Sequence, residues 1–101
     1  MKNENDNFEI LRKIQNKPEY SQRELAKDLG FSLGKLNYCL KELQKKGLVK
    51  IQNFSKNTRK LNYLYILTPK GITAKTKLTI NFMKRKMKEY DELKKELNEN
   101  K

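Results

Sequence analysis

Ser21-Gln22-Arg23-Glu24-Leu25-Ala26-Lys27-Asp28-Leu29-Gly30-Phe31-Ser32-Leu33-Gly34-Lys35-Leu36-Asn37-Tyr38-Cys39-Leu40-Lys41-Glu42-Leu43-Gln44-Lys45-Lys46-Gly47 is the stretch on which the fold turns. Its first four residues form a capping box, in which the Ser hydroxyl and the Glu carboxylate reciprocally satisfy free backbone donors. Leu25, Ala26 and Leu29 give the helix that follows an inner face, and Gly30 ends it after about two turns. Phe31 anchors the turn. Ser32 caps a second helix running to Lys46, with Leu36, Cys39, Leu40 and Leu43 spaced to face inward. Lys45 and Lys46 suit a helix C-terminus, and Gly47 falls where a left-handed residue is wanted.

Upstream, Phe8, Leu11 and Ile14, joined by Ile10, make a helical stripe over about Asp6 to Asn16, with Asp6 as its cap. Lys17-Pro18 stops it, because a residue before Pro avoids the α region. Downstream, Leu48–Phe54 and Leu61–Thr68 are rich in Val, Ile, Tyr and Phe and read as two strands. The polar, basic segment 55–60 between them predicts an antiparallel hairpin with a projecting loop. Both parities of Tyr63 to Leu67 are apolar, so the buried face stays open. Thr68-Pro69 then starts another helix, Thr68 as cap and Pro69 at its first position. Gly71 weakens its first turn. Continued to about Leu97, this helix is roughly 43 Å long, more than a small core requires. Ile80, Met83, Met87, Tyr90 and Leu97 follow a heptad seam interrupted by Lys94, with Leu93 as an alternative contact.

The expected fold is mainly α with a small β-hairpin: a winged helix-turn-helix followed by a long C-terminal helix. Its expected division is 1–68 for the winged helix-turn-helix unit and 69–101 for the long helix, an arm for pairing with a second chain. The 101 residues suffice for one domain and exclude a multidomain enzyme.

Charge and composition narrow the function. Lys+Arg number 24 against 12 Asp+Glu, a formal charge of +12. Residues 11–88 hold 20 bases and four acids, whereas both ends are net negative. A field so concentrated attracts a polyanion, with a solvated basic surface as the plainer reading. His is absent, which removes His-based acid–base chemistry and every His-containing zinc site. One Cys excludes an internal disulfide and a multi-Cys metal site. No phosphate-cradling Gly motif or convincing carboxylate pair is present. The expectation is a non-enzyme without cofactor. The acidic first ten residues carry no apolar signal segment, and the longest apolar run, Leu64 to Leu67, cannot span a bilayer. The expected location is the reducing cytoplasm.

With the core-facing residues removed, the second helix of the pair leaves Lys35, Asn37, Tyr38 and Lys41 outside, with Ser32 and Leu33 at its leading end. In a major groove, Lys35 reaches guanine acceptors or a phosphate, Asn37 pairs bidentately with adenine, and Tyr38 meets a thymine methyl or a phosphate. Gly34 costs about 1 kcal/mol of helix propensity against Ala, which fits close approach to the DNA backbone. Lys56, Arg59 and Lys60 of the hairpin loop are suited to following phosphates or, for Arg59, to entering the minor groove. Gln22, Arg23 and Lys27 are placed to clamp the backbone. For each group the alternative is a solvated face or a flexible basic loop. Cys39 reads as a small buried hydrophobe rather than a redox sensor, since no His is available to lower its pKa.

Three motifs carry a family resemblance. Ser21-Gln-Arg-Glu-Leu-Ala-Lys-Asp-Leu-Gly30 resembles the second helix of MarR-family winged-helix transcriptional regulators. Leu43-Gln-Lys-Lys-Gly-Leu-Val-Lys50 resembles the end of their recognition helix entering the wing. Leu67-Thr-Pro-Lys-Gly71 resembles their exit from the wing into the dimerisation helix. The resemblance covers roughly residues 8–80, and Ser32 to Leu43 is similar to a small subgroup linked to exopolysaccharide gene clusters. It implies a homodimer on double-stranded DNA, with residues 33–46 as recognition helix and 55–60 as wing. Such regulators are usually longer, with helices from both ends building the dimer. Here only the C-terminal helix is left for that, which puts the family's small-molecule effector pocket in doubt; no effector residue is named. Two competitors remain: a protein-interaction module pairing its long helix with another chain, and a membrane-surface protein using Phe82 to Lys88. No membrane partner is expected.

Overall fold

The computed structural model describes residues 3–54 and 62–99, with side chains at 5–52 and 65–99. In chain order it contains helix α1 (Asn3–Asn16), helix α2 (Gln22–Leu29), helix α3 (Leu33–Lys45), strand β1 (Val49–Phe54), strand β2 (Asn62–Leu67) and helix α4 (Pro69–Glu99).

Local chemistry fixes most of these boundaries. At the start of α2 the Ser21 hydroxyl accepts from the Glu24 backbone N–H at 3.2 Å, and the Glu24 carboxylate accepts from the Ser21 N–H at 2.8 Å. That second bond holds the Glu24 carboxyl below its ordinary value near 4.5. Ser32 caps α3 in the same way, accepting from the Lys35 N–H at 3.0 Å. Gly30 and Gly47 both take the left-handed conformation, φ 72° and 75°, in which a side chain would be strained. The next N–H in each case reaches back five residues, Phe31 to the Ala26 carbonyl and Leu48 to the Leu43 carbonyl. These are Schellman closures.

The expected Asp6 cap is wrong. α1 begins at Asn3, so Asp6 lies inside it. Asn3, Asn5 and Asp6 all favour caps, and the local signal does not rank them. The Asp6 carboxylate is instead drawn to Lys35, 3.2 Å away on α3.

The three short helices close around one core. Ile10, Leu11 and Ile14 meet Leu25 and Ala26, and both groups meet Leu36, Cys39, Leu40 and Leu43. Val49 and Tyr65 seal this core from the hairpin side. β1 and β2 are antiparallel, with Val49 opposite Leu67 and Ile51 opposite Tyr65. The face left open by the sequence is therefore that of Val49 and Tyr65, because cross-strand partners share a side. Among the described residues no polar or charged side chain is buried.

One junction joins α3 and the hairpin to the long helix. Thr68 caps α4, its hydroxyl accepting from the Gly71 N–H at 3.0 Å while donating to the Gly47 carbonyl at 2.6 Å. The Thr68 N–H donates to the Leu48 carbonyl. A Cβ added at Gly71 would collide with that same carbonyl oxygen. Gly71 therefore does more than weaken a first turn: it lets the start of α4 lie in backbone contact with Leu48, in the connection between α3 and β1. Further along, Phe82 packs on Phe8 of α1, ring centroids 5.4 Å apart. Beyond Phe82, every residue of α4 through Glu99 is exposed. The molecule is accordingly elongated, 65 × 26 × 23 Å.

Candidate nucleic-acid interface

The buried residues of α3 occupy one side, so the opposite side is presented outward. Leu33, Gly34, Asn37, Tyr38 and Lys41 are all exposed, Tyr38 by 60%. Their spacing of three and four residues places them on one helical stripe, and Lys45 continues it one turn further. Lys45 was passed over in the sequence, where it was assigned to the helix C-terminus. The signal for it was the step of four from Lys41.

Gly34 has open space around it: an added Cβ would meet nothing within 4 Å. The fold itself does not require glycine there. Leu33 stands at the leading end of the helix, 44% exposed. The Ser32 hydroxyl is committed to the cap just described, and the residue is exposed beside it.

Lys35 is held more firmly than its place on an outward face suggests. Its ammonium lies 3.2 Å from the Asp6 carboxylate and 4.1 Å from the Phe31 ring centroid. Its ammonium is turned towards α1 and the turn, while the side chain stays about half exposed. Asp6 also reaches Cys39 electrostatically. Burial first, and the Asp6 charge second, push the Cys39 thiol above its ordinary value, with Lys35 opposing. A buried thiol so raised is a poor nucleophile, in keeping with its reading as a core residue.

On α2, Arg23 and Lys27 are exposed. Gln22 is half-buried, and its side-chain oxygen accepts from the Tyr65 hydroxyl at 3.2 Å. Gln22 thus ties the start of α2 to strand β2. Lys13 of α1 pairs with Asp28 at 2.7 Å, which raises the Lys13 pKa and fixes α1 against the end of α2. Lys56, Arg59 and Lys60 lie outside the described residues. Ile80, Met83, Met87, Tyr90 and Leu97 all stand exposed along α4, between 47% and 66%. No helix among the described residues is long and apolar enough to cross a membrane.

Residues 7–50 match a family model described as winged helix-turn-helix DNA-binding. No curated protein sequence matches the chain. Solved structures do. MarR of E. coli in its apo form is 27% identical with a TM-score of 0.63, over 72% of this chain and 53% of that one. MepR, a transcription regulator of the Staphylococcus aureus multidrug efflux pump MepA, is 20% identical with a TM-score of 0.74, over 95% of this chain and 70% of that one. The transcriptional repressor CouR, solved bound to a 23-mer DNA duplex, is 23% identical with a TM-score of 0.72, over 85% of this chain and 59% of that one. The chain thus spans between 53% and 70% of the length of these three. Residues 7–50 are thus similar to winged helix-turn-helix DNA-binding domains, and the chain as a whole carries the fold seen in these MarR-family transcriptional regulators.

Proposed function

We propose that this protein is a sequence-specific transcriptional regulator that binds double-stranded DNA as a homodimer in the cytoplasm. The observation that carries the reading is the outward stripe of α3. It combines a glycine the fold does not need, an amide, a phenol and two lysines, on a helix whose opposite side is wholly buried. That helix inserts in the major groove. Asn37 reads adenine, Tyr38 meets a thymine methyl or a phosphate, and Gly34 permits close approach of the backbones. Leu33 and Ser32 lead the insertion. Lys41 and Lys45 hold phosphates along the groove, and Arg23 and Lys27 hold the strand that α2 crosses. Lys56, Arg59 and Lys60 of the wing act on the backbone or minor groove.

The structural neighbour CouR, bound to a DNA duplex, supports this reading. Regulation of exopolysaccharide genes is the target class that the subgroup resemblance suggests. The competing role, pairing α4 with a different protein, draws on the exposed stripe of that helix. Recovery of such a partner despite nuclease and high salt would favour it.

The test is a pair of variants measured on a selected DNA fragment and on random DNA. Asn37→Ala is expected to lose about 1–3 kcal/mol on the selected sequence only, because a bidentate base contact discriminates by that amount. Lys56→Ala is expected to weaken both DNAs alike and to lower the salt slope by about one. If the two variants behave identically on both DNAs, α3 does not read bases.

A further inference from the structure

We propose that the exposed half of α4 pairs with the same helix of a second copy in antiparallel orientation, centred between Lys88 and Glu89. The inference rests on the dimer reading above and specifies its geometry. Its first basis is the stripe Ile80, Met83, Met87, Tyr90 and Leu97, each between 47% and 66% exposed on a helix whose residues beyond Phe82 are all exposed. Stripes of this spacing bury themselves against another helix.

The second basis is charge, and it selects the occupant. Residues 69–88 of α4 carry seven bases and no acid, whereas residues 89–99 carry five acids and two bases. Each half complements the other half of an identical helix. The order also opposes the helix's own dipole, with no acid in the first turn and no base in the last. An antiparallel neighbour supplies positive charge to the acidic end.

The register follows from the stripe. Centring the pair between Lys88 and Glu89 sets Met87 beside Tyr90 of the partner subunit and Ile80 beside Leu97 of the partner subunit. Lys84 then flanks the seam opposite Asp91 of the partner subunit, twice by symmetry. Lys94, which interrupts the stripe, lays its aliphatic stem on Met83 of the partner subunit. The parallel alternative keeps one favourable contact, Lys86 with Asp91 of the partner subunit. It also stacks Lys94 on its own copy and sets the basic half beside its twin. Antiparallel pairing further places the two anchored segments, 69–82, about 39 Å apart along the axis at 1.5 Å per residue. That is close to the roughly 34 Å between half-sites one DNA turn apart.

Spin–spin distance measurement on the full chain tests this, with single labels at Lys88→Cys or Lys95→Cys, both exposed. The unsubstituted chain, whose Cys39 is 4% exposed, serves as the label-free control. Antiparallel pairing predicts a short distance at position 88 and an added axial offset of about 20 Å at position 95. Equal distances at both positions, in a chain that sediments as a dimer, would overturn the orientation and leave the dimer standing. A chain that sediments as a monomer at all concentrations tested would overturn both.

Discussion

Three residues hold α3 and its neighbours in place, Gly71 and Asp6 through contacts far away in sequence and Glu24 through one only three residues away. Gly71 admits the Leu48 carbonyl where any Cβ would collide. Gly71→Ala is therefore expected to destabilise the fold by about 1–3 kcal/mol, the usual range for overpacking, despite alanine's better helix propensity. Chemical denaturation of the two proteins measures it; an increase in stability would show that the junction is not close. Asp6 holds Lys35 back. Asp6→Asn is expected to tighten DNA binding several-fold, and to do so less in a Lys35→Ala background, because much of the gain is the released ammonium. An equal gain in both backgrounds would mean that Asp6 acts only by its own charge. Glu24 accepts the Ser21 N–H, and its pKa is lowered from about 4.5. A depressed carboxyl stabilises above its unfolded pKa, and that contribution is lost as pH falls through the folded value. Glu24→Gln keeps a capping side chain but not the charge. Wild type should be the more stable near pH 6 and the two should converge at acid pH in thermal unfolding.

At the scale of the element, sequence and structure agree wherever a signal is local. The capping box at Ser21, the Ser32 cap, the left-handed Gly47 and the Thr68-Pro69 start of α4 are each encoded within four or five residues, and each stands where the sequence places it. The inward stripe Leu36, Cys39, Leu40, Leu43 was legible from its period alone. What was not legible depends on partners distant in the chain. Asp6 could not be told from a cap without Lys35 beside it. The buried face of β2 is set by the helices beneath Tyr65, not by the alternation of its own residues. The reach of Gln22 to Tyr65 spans 43 residues. For α4 the account makes a charge prediction. Lys84→Glu is expected to weaken self-association, and Asp91→Lys in the same chain to restore it. Sedimentation of the single and double variants reads this directly; a double variant no better than the single would argue against the Lys84–Asp91 pairing.

For the whole molecule, the arrangement separates three tasks. A small core fixes α3 with Gly34, Asn37, Tyr38, Lys41 and Lys45 outward. The Gly47–Leu48–Thr68–Gly71 junction ties that helix to the start of α4. The far half of α4 carries a seam and a charge order suited to its own copy. A net charge of +12 favours any polyanion whatever its sequence, so affinity alone does not test the reading. The most direct measurement is selection of genomic DNA fragments by the purified protein at about 150 mM salt, where phosphate-only binding is weakened. The account predicts enrichment of an inverted repeat whose half-sites are about 34 Å apart. Uniform recovery of fragments, falling steeply with added salt, would contradict it.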